Sequence, residues 1–116
     1  MTSREKALAL ATEVAGKQGM DIQILDLREV SSFTDFFVIA TGTSDRHLRT
    51  LADSVVETAR SFGDRPLGVE GAKTGRWVLV DLGDVVAHVF REEAREFYGL
   101  ERLWGQDEPQ AVEAAQ

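Results

Sequence analysis

Cysteine is absent from this 116-residue chain, and its absence excludes several kinds of chemistry. Without thiols the chain has no disulfide, no thiolate nucleophile and no cysteine-ligated zinc or iron–sulfur site. No apolar run approaches the length of a membrane span, and the start, MTSREKALAL, lacks the uninterrupted apolar core of a signal peptide. We therefore expect no membrane partner. The lack of disulfides is typical of a reducing compartment, although it is also compatible with export.

Positive charge is scarce as well. The chain has 20 acidic and 13 basic side chains, which gives a formal charge of −7. The imbalance is uneven, with 9 acidic and 7 basic residues in 1–60 (net −2) and 11 and 6 in 61–116 (net −5). Such a chain is poorly suited to bind a nucleic-acid backbone directly. We expect a large partner to contact it through basic or apolar protein surface.

The hydrophobic pattern predicts one α/β domain. Residues 3–17 and 44–62 carry apolar side chains at helical spacing, and Ser3 and Ser44 are the predicted N-caps. Shorter apolar or alternating segments predict five strands and a last helix, at residues 21–27, 35–40, 67–70, 77–82, 85–90 and 91–98. The predicted order is αββαβββα, an α+β sandwich in which helices pack on a mixed sheet of about five strands. Gly83-Asp84 is the predicted two-residue turn of a hairpin.

A boundary is predicted near residue 104. Residues 1–104 form the predicted domain, and Trp104 is expected to fold back onto it. Residues 105–116 contain three acidic and no basic side chains, together with Ala, Gln and one Pro. This composition predicts a disordered acidic tail.

Two local motifs allow either a structural or a chemical interpretation. The turn Gly42-Thr43-Ser44 lies between a buried strand and a helix start, so it either caps the helix or binds an anion. Asp81, Asp84 and His88 lie close together in sequence, and the alternation of a strand places residues 84 and 88 on one side. They either form a structural turn or supply acid, base or metal-binding groups. No further ligand completes a metal set, and no nucleophile motif is present.

Trp77 is a candidate interaction residue. It begins a predicted strand directly after a polar loop that contains Lys73 and Arg76. A tryptophan at this position either caps the core or anchors a partner, because Trp and Arg are enriched at binding hot spots.

Four segments of the chain resemble the ribosomal silencing factor family, which is related to iojap. They are TDFFVIATGTSDRHLRTLAD at 34–53, EG at 70–71, GRWVLVDLGDVVAHVF at 75–90 and REFYGLERLW at 95–104. The departures are mild, with Phe36 where Tyr is usual and Ala87 where a bulkier aliphatic residue is usual. The resemblance covers about residues 3–104.

The resemblance implies a fold, a function and a set of partners. The fold is similar to a nucleotidyltransferase, but the strand at 67–70 lacks the carboxylate pair of such enzymes, so no catalytic site, cofactor or metal is expected. Family members are cytoplasmic homodimers. They bind ribosomal protein fourteen of the large subunit at the intersubunit face and block joining of the small subunit. Translation is thereby lowered under nutrient limitation or in stationary phase.

The resemblance also implies where the partner binds. The implied surface consists of an apolar anchor and charged neighbours, namely Trp77, Leu79, Asp81, Glu70, Lys73, Arg76 and Asp84. The alternative function is a small nucleotidyltransferase-like enzyme that binds nucleotide and magnesium through residues 42–44 with Asp81 and Asp84.

Overall fold

The computed structural model describes residues 1–71, 76–99 and 110–111. Its helices and strands are α1 (Ser3–Gly16), β1 (Met20–Asp26), β2 (Phe36–Gly42), α2 (Asp45–Ser61), β3 (Gly68–Glu70), β4 (Trp77–Asp81), β5 (Val85–Arg91), α3 (Glu92–Tyr98) and β6 (Gln110–Ala111). The predicted order αββαβββα is confirmed for the first eight elements. The predicted position of Trp104 lies outside the described residues.

The strands form one mixed sheet in the order β3-β4-β5-β2-β1-β6. β2 and β5 are parallel neighbours, whereas the remaining pairs are antiparallel. β2 and β5 occupy the middle of the sheet and are almost entirely buried, as continuous apolar runs predict. The mixed-sheet fold class predicted from the sequence is confirmed. Two residues of the predicted tail, Gln110–Ala111, pair with β1, and the rest of that segment lies outside the described residues.

Both long helices pack on the same face of the sheet. The apolar stripe of α1, with Leu10 and Val14, and that of α2, with Leu51 and Val55, meet one set of alternating strand residues. These strand residues come from β1, β2, β4 and β5 and include Ile24, Val38, Val78, Val80, Ala87 and Val89. Because strand side chains alternate between faces, the residues between them lie on the opposite face. That second face receives neither α1 nor α2.

The start of α2 agrees with the sequence prediction, whereas the start of α1 does not. Ser44 caps α2, since its hydroxyl accepts a hydrogen bond from the backbone N–H of His47 at 3.0 Å. The prediction of Ser3 as the cap of α1 is wrong. The cap is Thr2, whose hydroxyl accepts from the N–H of Glu5 at 3.1 Å while the Glu5 carboxylate accepts from the Thr2 N–H at 2.8 Å. This reciprocal pair is a capping box, and it starts the helix one residue early.

Candidate partner-binding surface

The second face of the sheet carries the side chains of Trp77, Leu79 and Asp81. Val78 and Val80 point to the helices, so the alternation of β4 directs these three side chains the other way. Strand register pairs Trp77 with Phe90 and Leu79 with His88 on β5.

Helix α3 covers only one end of this face. Its Ala94 packs into the apolar cluster of this face, which consists of Leu25, Leu27, Phe37, Ile39, Val86, Phe90 and Ala94. Arg95 donates hydrogen bonds to the Asp21 carbonyl at 2.6 Å and to the Thr41 hydroxyl at 2.9 Å, which ties α3 to the carboxyl end of β2. At the other end of the face, near the start of β2, no described helix covers the sheet, and a groove lies there.

The groove has a volume of about 400 Å³ and an apolar lining. We define it by its apolar and aromatic residues, namely Phe33, Phe37, Leu67, Leu79, Val86 and His88. Phe33 and Leu67 are 69% and 75% exposed, although both are large apolar side chains. Exposed apolar residues that cluster around a concave surface are typical of a binding site.

The rim of the groove is acidic. Glu70 and Asp81 both border it. One carboxylate oxygen of Asp81 accepts a hydrogen bond from the Gly83 N–H at 2.8 Å. Within the described ranges neither carboxylate forms an ion pair. The groove therefore combines an apolar floor with negative charge that a basic side chain can neutralise.

A hydrogen bond fixes the ring of Trp77 beside the groove. Its indole Nε1 donates to Nδ1 of His88 at 3.1 Å, and its ring stacks on Phe90 with centroids 5.0 Å apart. His88 is buried, and its ring also meets the edge of Phe37 at 4.4 Å. Burial lowers the pKa of His88 to about 4, so the ring is neutral near pH 7. Trp77 is half-buried, so it both caps the apolar cluster and presents surface.

The structure brings together four of the seven residues that the sequence assigns to the surface: Trp77, Leu79, Asp81 and Glu70. Arg76 is exposed just before β4, and Lys73 lies outside the described residues. Sequence reasoning missed Phe33 and Leu67. The available signal was an aromatic residue inside the polar stretch at 31–35 and a leucine directly after Pro66.

Asp84 does not belong to the groove. Its carboxylate oxygens accept from Lys6 Nζ at 2.8 and 3.0 Å, and the same ammonium group pairs with Asp64 at 2.5 Å. Burial of Lys6 opposes its charge, but the two carboxylates outweigh this effect and raise its pKa. The prediction that residues 84 and 88 share a side is wrong, because Asp84 sits in the turn before β5 and pairs with α1. His88 faces away from the helices.

The turn at Gly42-Thr43-Ser44 is satisfied internally. The Thr43 N–H donates to Nδ1 of His47 at 2.9 Å, and Nε2 of that ring lies 2.9 Å from the Lys17 carbonyl oxygen. A Cβ on Gly42 would lie 2.7 Å from Leu48 Cδ2, so the glycine permits close packing of α2. These contacts favour the structural interpretation of the turn.

The residues of the alternative enzyme lie at opposite ends of the sheet. Gly42 pairs with Arg91 at the end of β5, whereas Asp81 pairs with Val86 near its start. The strand rises about 3.3 Å per residue, so roughly 15–20 Å separate the two. Among the described residues no group of three or more His, Asp or Glu side chains is placed to hold a metal ion. In the same part of the chain, no helix is long and apolar enough to cross a membrane.

Fold and site together define a small α/β protein in which the two long helices cover one sheet face, while the other face bears α3 at one end and an acidic-rimmed apolar groove at the other. A model of the family described as "Ribosomal silencing factor during starvation" matches residues 1–116. The chain belongs to this ribosomal silencing factor family.

Individual relatives agree with this assignment. The chain is 42% identical to the ribosomal silencing factor RsfS of Haemophilus influenzae over 89 residues, which are 77% of this chain and 87% of that protein. It is 31% identical to the chloroplastic protein Iojap of Zea mays, across 89% of this chain and 45% of that one. A crystal structure of a protein from Chromobacterium violaceum is similar to it with a TM-score of 0.88 and 38% identity, covering 100% of this chain and 98% of that one.

Proposed function

We propose that this protein silences ribosomes by binding the large subunit and blocking its association with the small one. The binding partner is ribosomal protein fourteen at the intersubunit face. The protein acts in the cytoplasm as a homodimer and lowers translation under nutrient limitation or in stationary phase. Family membership supports the ribosomal role. A bound protein at the intersubunit face acts by occupying space, so the mechanism requires docking and no chemical step.

The groove is the observation that carries the proposal. Its floor offers apolar contacts from Leu79, Phe33 and Leu67, and half-buried Trp77 stands beside it as an anchor. Burying one such side chain completely contributes about 1.5–3 kcal/mol. A few of these side chains therefore suffice for specific binding if the partner fits the groove.

The negative charge around the groove favours a protein partner over RNA. The chain carries −7 overall, and Glu70 and Asp81 add negative charge at the rim. Ribosomal RNA repels such a surface, whereas a basic ribosomal protein attracts it. In our proposal the two carboxylates meet basic side chains of the partner, and the apolar floor receives its apolar residues.

The proposal is tested with purified large subunits, first by co-sedimentation and then by light scattering as small subunits are added. Wild-type protein should co-sediment and should lower the joining signal. The double variant Phe33→Ser/Leu67→Ser should weaken binding about tenfold or more, since each 1.4 kcal/mol lost is a factor of ten. Both residues are largely exposed, so the fold should remain intact.

A matched control lies in the same loop as Phe33. Val30 is 53% exposed but does not line the groove, so Val30→Ser should bind as the wild type does. Trp77→Ala and Asp81→Ala should also reduce binding. Equal co-sedimentation of all these variants would show that the surface is misassigned. Unimpaired subunit joining in the presence of bound wild-type protein would contradict the blocking mechanism.

A non-catalytic role predicts a further negative result. The nucleotidyltransferase alternative requires nucleotide and magnesium to bind the folded chain, which would raise its melting temperature. We expect no shift with any of the four nucleoside triphosphates and magnesium. A reproducible, concentration-dependent rise would restore the enzyme as a candidate.

A further inference from the structure

His88 carries a hydrogen-bond donor that no described residue uses. Its Nδ1 accepts from the Trp77 indole, which is only ever a donor. The ring is neutral near pH 7, so its single proton lies on Nε2. That nitrogen has no hydrogen-bond partner among the described residues, and the whole residue is only 3% exposed.

The unpaired nitrogen lies on the groove side of the sheet. Nε2 is at the end of the imidazole ring farthest from Cβ, so it points away from the β5 backbone. His88 lines the groove, and Leu79 is its direct partner across the β4–β5 pair. The nitrogen is buried, so an acceptor from a partner must displace a neighbouring side chain to reach it. Leu79, which is half-buried and pairs with His88 across β4 and β5, is such a neighbour.

An unpaired donor at this position is costly to the free protein. A buried N–H without a partner destabilises the fold, because it gives up its hydrogen bonds to water and gains none in exchange, whereas an apolar side chain would avoid this cost. The ring neighbours of His88 are the aromatic residues Phe37, Trp77 and Phe90. His88 therefore has a polar N–H group in an otherwise aromatic, apolar environment. A binding partner that supplies an acceptor would satisfy this group.

We propose that His88 is a specificity-determining residue of the groove and that its Nε2–H donates to an uncharged oxygen, a backbone carbonyl or a hydroxyl, of the docked ribosomal protein. This inference rests on the proposed function. Glu70 and Asp81 exclude a carboxylate acceptor, because they would repel a second negative charge at the same groove. The partner segment thus combines apolar residues, a neutral acceptor and adjacent basic side chains.

Two substitutions distinguish the roles of the two ring nitrogens of His88. In His88→Asn the side-chain amide takes the position of Nδ1, so it keeps the acceptor for Trp77 and removes the group at Nε2. In His88→Gln the amide reaches the position of Nε2 and keeps a donor there. In co-sedimentation with purified large subunits, His88→Asn should weaken binding about tenfold. His88→Gln should bind within about threefold of the wild type, provided that melting curves show both variants folded.

The outcomes distinguish this inference from the proposed function. If wild-type protein does not co-sediment, the proposed function fails and the inference fails with it. If the wild type binds but His88→Asn binds equally well, only the inference is overturned. The same holds if His88→Gln loses binding while His88→Asn keeps it, because His88 would then act only by positioning Trp77.

A second measurement covers the case in which His88→Asn does not fold. The imidazole nitrogens of ¹⁵N-histidine-labelled wild-type protein are followed by NMR, with and without isolated ribosomal protein fourteen. A slowly exchanging Nε2 proton that forms only in the complex supports the inference. An unchanged His88 signal in a complex that demonstrably forms would overturn it.

Discussion

The indole Nε1 of Trp77 donates a hydrogen bond of 3.1 Å to Nδ1 of His88, and this bond joins a half-exposed side chain to a buried one. Trp77 is thereby held in a fixed orientation beside the groove before any partner binds. A fixed anchor loses less conformational entropy on docking than a mobile one, which favours affinity. The same bond requires an unprotonated Nδ1, so the state of the anchor depends on the protonation of His88.

Acidification should therefore destabilise the protein through His88. The pKa of this residue is about 4 in the folded chain and 6.5 in the reference state, so the unfolded chain binds more protons between these values. The contribution of neutral His88 to the free energy of unfolding is fully present above pH 6.5. It is lost as the pH falls toward 4, by about 3 kcal/mol in total. Urea unfolding at pH 7.0, 5.5 and 4.5 measures this loss.

The control for that experiment is His88→Asn, which cannot titrate. Its free energy of unfolding should change much less over the same interval, because the contributions of the lowered pKa values of Glu5 and Asp26 are lost only near and below pH 4.5. Glu70 and Asp81, which line the same groove, are present in both proteins. An equally steep loss in wild type and variant would show that another group is responsible.

Lys6→Met should destabilise the fold. In the wild type, Lys6 connects α1 to Asp64 in the loop after α2 and to Asp84 in the β4–β5 turn. The substitution removes this cation and leaves the two carboxylates close together. A fully buried pair broken in this way costs 3–5 kcal/mol, but both carboxylates are about one-third exposed. We expect a loss of about 1–3 kcal/mol in chemical denaturation.

An exposed ion pair provides the comparison for Lys6. Arg28→Met breaks the contact with Asp26, in which the arginine side chain is half-exposed. Exposed pairs contribute about 0–1 kcal/mol, so this variant should lose clearly less stability than Lys6→Met. Losses of equal size would contradict the special role of the Lys6 cluster.

Gly71→Ala should be more damaging than Gly63→Ala, although both glycines have nearly the same backbone conformation. Their φ values are +84° and +86°, where alanine costs about 1–2 kcal/mol. A Cβ on Gly71 would also overlap the carbonyl oxygen of Trp77, whereas the space around Gly63 is open. We expect roughly 1 kcal/mol for Gly63→Ala and about 3 kcal/mol or more for Gly71→Ala. Similar melting temperatures for the two variants would refute the predicted overlap.

Thr2→Ala should lower stability by about 1 kcal/mol, because it removes the hydroxyl that caps α1. Ser3→Ala provides a control one residue away, inside the first turn, and should change stability by about 0.5 kcal/mol or less. Thermal melting of both variants decides which residue is the cap. A larger effect at Ser3 would restore the cap predicted from the sequence pattern.

Local patterns explain why so much of the fold is predictable. The alternation of Trp77, Leu79 and Asp81 with Val78 and Val80 specifies a strand with two different faces, and the apolar run at 36–40 specifies an interior strand. A hydroxyl alone does not identify the N-cap of α1, since Thr2 and Ser3 both have one. Only Thr2 has Glu5 three residues ahead, which completes the reciprocal pair.

The family resemblance supplied Trp77, Leu79, Asp81 and Glu70 as surface residues. Strand alternation places the first three on one face, whereas the neighbouring position of Glu70 follows from the strand register in the structure. Phe33 and Leu67 come from separate loops, and no local spacing reveals that they meet at one groove. Sequence reasoning counted Asp84 as a third acidic member of the surface, but the structure pairs it with Lys6, 78 residues away in sequence.

The sequence by itself determined the excess of negative charge, the absence of thiol chemistry, the order of the main elements and the family. These properties reside in composition or in neighbours along the chain, so they can be read without knowledge of contacts. Tertiary structure alone decided that Asp84 binds Lys6, that the Trp77 indole bonds to His88, and that Phe33 and Leu67 meet Leu79 at one groove. Each of these depends on which distant segments meet, and that is set by packing of the whole chain.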